Sequence, residues 1–131
     1  MSVVKASPSI AIVAGVILLL VLQSCAWLPK PLPPSVVGNW VNPLGTVWII
    51  KPDGTFDVDF TRDGERDAWG RYTVDGQRIT LVSTGGLNAS DCEGEGIYNF
   101  RRDGDKLHFT VVNDACKARQ RNVLLSWRLK T

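Results

Sequence analysis

Beyond residue 35, few side chains are of types that could do chemistry: Cys92 and Cys116, His108, the alternating acids Asp91, Glu93 and Glu95, and the pair Asp114 and Arg119. His108 is the only histidine in the chain. No Gly-x-Ser-x-Gly elbow, Cys-x-x-Cys pair or phosphate loop accompanies them, so hydrolase, zinc and nucleotide chemistry lack their usual carriers. The chain is therefore read as a non-enzyme with no cofactor and no metal centre. His108 lies between Leu107 and Phe109 in an alternating run, which predicts a solvated, outward-facing ring. The three acids lack the fixed ligand order of a calcium loop and read as a solvated acidic loop. Asp114 and Arg119 flank Cys116, and are expected to brace the loop by pairing with its backbone or with each other. The other reading of that pair is an exposed rim contact for a partner.

These residues follow a segment of a different kind. Every residue over 10–22 is apolar or glycine, and Lys5 is the only charge before it. A spanning helix needs roughly 20 apolar residues, so this run has the length of an export signal. Leu22-Gln23-Ser24-Cys25 then resembles the lipobox of bacterial lipoproteins, differing from it at Gln23. The resemblance implies cleavage before Cys25, acylation of its sulfur and an envelope location tethered to a membrane. Ala26 stands where an aspartate would mark inner-membrane retention, so the implied destination is the outer membrane, facing the periplasm. An uncleaved anchor with a free Cys25 is the competing reading. Residues 26–35 carry four prolines, which favour an extended, semi-rigid spacer. The organisation expected is a signal over 1–24, a lipidated tether over 25–35 and one domain over 36–131. The whole chain has a net charge of +2, and about +1 without the signal. That balance gives no electrostatic case for nucleic acid as a partner.

In an exported chain, the two remaining cysteines are expected to form a disulfide. Cys92 and Cys116 would close a loop of roughly 25 residues, contributing about 3 kcal/mol on a chain-entropy account.

The domain itself reads as all-β. Asp53-Gly54, Asp63-Gly64, Asp75-Gly76 and Asp103-Gly104 punctuate runs of period two. Such dipeptides suit tight hairpins because they accept positive φ. Phe56, Val58 and Phe60 alternate with polar residues; so do Tyr72 and Val74, then Leu107, Phe109 and Val111, while Val123, Leu125, Trp127 and Leu129 alternate with Leu124, Ser126, Arg128 and Lys130. Strands are predicted near 36–41, 46–51, 55–61, 67–74, 77–83, 96–102, 105–112 and 121–129, and no helix after the signal. Eight short antiparallel strands in sequence order predict an up-and-down barrel, whose closure removes sheet edges. Connections in such a barrel alternate between its ends. The two long ones, 84–95 and 113–120, fall at the same end, and each carries one of the cysteines. The tether would leave from the opposite, tight-turn end.

Gly38-Asn39-Trp40 resembles the Gly-x-Trp motif that opens lipocalin barrels. That resemblance implies that Trp40 plugs the closed end and that Arg128, near the end of the last strand, packs over it. The stretch from Gly96-x-Tyr98-x-Phe100 through Asp103-Gly104 and Asp114-x-Cys116-x-x-Arg119 to Trp127-Arg128 is similar to small bacterial lipocalin-like exported proteins. Trp48, Phe56, Phe60, Tyr72, Tyr98, Phe100, Phe109 and Trp127 are expected to line or fill the barrel. Eight strands enclose room for side chains or for one small ligand. Two functions follow as expectations: a tethered barrel holding a small apolar ligand at the long-loop mouth, or a filled barrel that meets another envelope protein through its stapled loops.

Overall fold

The computed structural model describes residues 35–131. The segment expected to be a signal, Cys25 and nearly all of the expected tether lie outside the described residues.

Eight strands form a closed antiparallel barrel in sequence order. They are β1 (Gly38–Val41), β2 (Val47–Ile50), β3 (Thr55–Asp59), β4 (Ala68–Asp75), β5 (Arg78–Gly86), β6 (Glu95–Asp103), β7 (Lys106–Asn113) and β8 (Trp127–Leu129). Between β7 and β8 lies one short helix, α1 (Lys117–Val123). The helix corrects the expectation of a strand beginning near residue 121. Its residues are mostly good helix formers, and Val123 is the one it buries.

The tight turns follow from glycine. Asp75 pairs with Arg78 and Asp103 with Lys106, so the turns are Gly76-Gln77 and Gly104-Asp105. Gly76 and Gly104 have φ of 60° and 59°, while the residue after each stays at negative φ. That is the φ pattern of a type II′ turn, with the aspartate as the last strand residue rather than part of the turn.

Inside, Trp48 packs against Phe109 and Trp127 at ring-centroid distances of 5.3 Å and 5.2 Å. Phe56, Tyr98 and Phe100 join the same core, with Phe60 and Tyr72 packed against it. All eight aromatic residues expected inside are thus part of the interior or its rim. Val111 is not: it is exposed, because the β6–β7 ribbon runs on past the end of β8. β8 pairs with Lys106 and Leu107 only. Among the described residues no strand pairs with the outer edge of β7 beyond Leu107. Phe100 donates its backbone N–H to Gln77 on the β5 side. By alternation its partner Phe109, and then Val111, turn N–H and C=O toward that open edge.

The tight-turn end is closed by Trp40, which is fully buried. Its indole donates to Val36 O at 2.8 Å. Gly38 has φ of 152°, and a Cβ there would stand 3.0 Å from Leu129 and 3.3 Å from the Trp40 indole nitrogen. The arginine over Trp40 is Arg102, 5.1 Å from the ring, and not Arg128. Arg102 also donates to Ser35 O at 2.8 Å and Gly104 O at 2.9 Å. Arg128 is exposed, and alternation requires this: Trp127 beside it points inward, so Arg128 points out.

Candidate functional site

The first, third, fifth and seventh connections gather at the end opposite Trp40. The disulfide expected from sequence joins the fifth to the seventh: Cys92 and Cys116 are bonded, with Cα atoms 4.9 Å apart. Cys116 is also the N-cap of α1, its sulfur accepting from the Arg119 N–H at 3.3 Å.

Around the disulfide is a buried polar cluster. The Asp114 carboxylate accepts from Arg119 Nε and Nη2, both at 2.8 Å, in a two-pronged pair. It also accepts from the Cys116 N–H at 2.9 Å and from the Tyr98 hydroxyl. Arg119 reaches on to Ser83 Oγ at 3.2 Å and to the carbonyls of Cys92 and Gly94. The side chains of Asp114 and Arg119 are 0% and 7% exposed, so this is a brace and not a rim contact. Gly96 makes room for it, since a Cβ there would lie 2.5 Å from Asp114 Oδ2. Burial raises the Asp114 pKa, but Arg119, Tyr98 and the Cys116 N–H outweigh it and hold the carboxyl below its ordinary value. Burial, reinforced by the neighbouring Asp114, pushes the Tyr98 hydroxyl far upward. At neutral pH the cluster is therefore one anion, one cation and one neutral phenol. Its charges cancel.

A second tie comes from the first connection. Asn42 Nδ2 donates to Asn122 Oδ1 at 3.3 Å, while Asn42 Oδ1 holds the Leu44 and Thr46 N–H groups at 3.0 Å. Trp127 Nε1 donates to Val123 O at 3.0 Å. Helix α1 is thus fastened to the barrel mouth by a disulfide, an ion pair and the hydrogen bonds made at Arg119, Asn122 and Val123.

Under this fastened helix remains a cavity of about 70 Å³. Its apolar wall is made by Trp48, Phe56, Val58, Phe60, Ala68, Trp69, Leu81, Leu87 and Val123. Of the eight aromatics expected to line an interior space, Trp48, Phe56 and Phe60 do so; Tyr98, Phe100, Phe109 and Trp127 fill the core. Tyr72 packs at the rim, its hydroxyl bonded to Lys51 O. Sequence reasoning missed the contributions of Trp69, Leu81, Leu87 and Val123. Alternation marked Val123 as apolar, but only the placement of α1 brings it over Trp48. Water needs about 10–15 Å³ by this measure, so the space suits roughly five to seven heavy atoms. Drug-sized ligands occupy about 300–1,000 Å³. Leu44, Leu87 and Leu124 are exposed on the first, fifth and seventh connections at this same end.

His108 is partly exposed on the outer face of β7. Among the described residues, no three His, Cys, Asp or Glu side chains converge on a common point. No family model, no curated protein and no solved structure matches this chain.

Proposed function

We propose that this chain is an envelope lipoprotein, anchored through Cys25, whose lipocalin-like barrel holds one small apolar molecule at its long-loop end. The observation that carries the reading is the cavity under α1. Its walls are mostly apolar, it lies at the end away from the point where the chain enters β1, and disulfide, ion pair and helix keep it in shape. Preformed walls lower the ordering cost of binding. The volume limits the guest to the size of a single small ring, with no room for a whole acyl chain. The lipid in this account is the anchor and not the cargo. Anchoring by two or three chains gives stable membrane attachment, which a single chain does not.

The exposed Leu44, Leu87 and Leu124 support a second reading, in which the same end docks an apolar patch of an envelope protein. Native mass spectrometry of protein released gently from its own envelope separates the two. A reproducible small adduct that leaves on denaturation supports the ligand reading. A clean apo mass in repeated preparations overturns it and leaves the partner reading. A Cys25→Ser variant tests the anchor: it should lose membrane fractionation, and a variant that still partitions as a lipidated protein contradicts the lipobox reading.

A further inference from the structure

Two side chains that the sequence singled out are left without a role: His108, the chain's only histidine, and Arg128, whose place over Trp40 belongs to Arg102. The barrel brings them together on its outer surface. Lys106 and His108 alternate along β7 with the buried Leu107 and Phe109, so both face outward. Arg128 faces outward on β8, next to the buried Trp127. The register sets Lys106 directly opposite Arg128, and Arg101 of β6 directly opposite His108. Like charges placed opposite one another across an antiparallel pair are destabilising, and an anion between them would relieve the repulsion.

No carboxylate of the chain supplies that anion. Among the described residues, ion pairs join Lys51 and Arg66 to Asp57 and Arg119 to Asp114, and none includes Arg101, Lys106 or Arg128. Asp103 stands opposite Lys106 on the β6 side, yet makes no ion pair with it. Residues 1–34 contain no Asp or Glu. Lys106, His108 and Arg128 also share one groove of about 440 Å³ with Ser126, Val41 and Pro43, and no acid lines it. The outer groove along β2 and β3 is different: there Arg62, Arg66 and Lys130 lie among four acids. Only the first groove presents cations without their counter-charge.

We propose that this groove binds a phosphate ester, its oxyanion held between the Lys106 ammonium and the Arg128 guanidinium and its carbon skeleton lying against Val41 and Pro43. Arginine offers a planar fork that matches two phosphate oxygens, and lysine a point charge beside it. The exposed Ser126 hydroxyl is a further donor at the same groove. Small organic ligands occupy about 300–1,000 Å³, so the volume suits an anion carried on a larger molecule rather than a bare ion. This site is separate from the cavity under α1 and depends neither on that cavity nor on the anchor.

The test is a titration of the intact oxidised protein at constant pH and ionic strength, followed in proton–nitrogen correlation spectra. Inorganic phosphate should give saturable shifts at the Lys106, His108 and Arg128 amides, and none at Arg71 or Arg78, which are exposed cations on β4 and β5. Lys106→Gln and Arg128→Gln change exposed positions, and each should weaken phosphate about threefold to tenfold. Added sodium chloride should weaken binding further, as screening requires. Two more probes name the source of the ester: glycerol 3-phosphate, and dihexanoyl phosphatidic acid below its micelle concentration. Binding of the lipid about tenfold tighter or more, with shifts reaching Val41, assigns a lipid headgroup. Equal binding of the two assigns a soluble phosphate ester. Shifts that do not saturate, shifts shared equally with Arg71 and Arg78, or affinity within about twofold of wild type in both variants would overturn the proposal. Any of these failures leaves the cavity reading standing.

Discussion

Replacing Asp114 by asparagine tests whether the buried cluster holds the loop end together. The carboxylate accepts from Arg119 twice, from the Cys116 N–H and from the Tyr98 hydroxyl. Asparagine keeps one accepting oxygen and turns the other into a donor, which then faces a donor. The Arg119 guanidinium, 7% exposed, is left without its counter-charge. Removing one partner of a buried ion pair costs about 3–5 kcal/mol. Domains of this kind have a total stability of about 5–15 kcal/mol, so the variant should lose about a fifth of it or more. Urea unfolding of the oxidised protein reads this as a lower midpoint at unchanged slope. The pH dependence has a definite sign. The Asp114 pKa is lowered in the folded state, so its contribution is present above the unfolded carboxylate value of about 3.9 and is lost as pH falls through the folded value. The gap between wild type and Asp114→Asn should therefore be widest near neutrality and close on acidification. Adding Arg119→Met should recover part of the loss, because removing both partners avoids the stranded charge. A loss under about 1 kcal/mol, the value of an exposed pair, would refute the reasoning, as would a gap that does not narrow in acid.

Replacing both Cys92 and Cys116 by serine should cost about 3 kcal/mol in thermal or urea unfolding and loosen α1 first, since Cys116 caps it. Arg102→Ala should cost about 1 kcal/mol and shift Trp40 fluorescence, whereas Arg128→Ala should stay within about 0.5 kcal/mol. In hydrogen exchange, the Phe109 and Val111 amides should exchange fast although they lie within β7, while the Thr110 amide, turned toward β6, exchanges slowly.

The barrel was legible in the sequence because turn chemistry and alternation are local. Asp75-Gly76 and Asp103-Gly104 ended strands, and Phe56, Val58 and Phe109 faced one way within them. The placement of Cys92 and Cys116 at one end followed from counting connections, and their bond agrees with it. Helix α1 was hidden because it buries only Val123, so it leaves no apolar period, and its N-cap is a cysteine rather than Ser, Thr, Asp or Asn. The run Lys117-Ala118-Arg119-Gln120-Arg121 does carry helix propensity, the one signal that could have revealed it. Assigning Arg128 to Trp40 ignored the alternation that Trp127 imposes. The cavity had no sequence signature at all. It exists because α1 lies over Trp48, Phe56 and Leu81, three residues from three different strands.

The central claim is that the working site is a small, preformed apolar cavity at the stapled end of the barrel. Methyl-selective NMR of the oxidised mature protein during a benzene titration tests it most directly. The account expects saturable shifts at Val58, Leu81, Leu87 and Val123, and none at Leu107 near the closed end. Saturable shifts absent from those four residues, or spread evenly to Leu107, would contradict it.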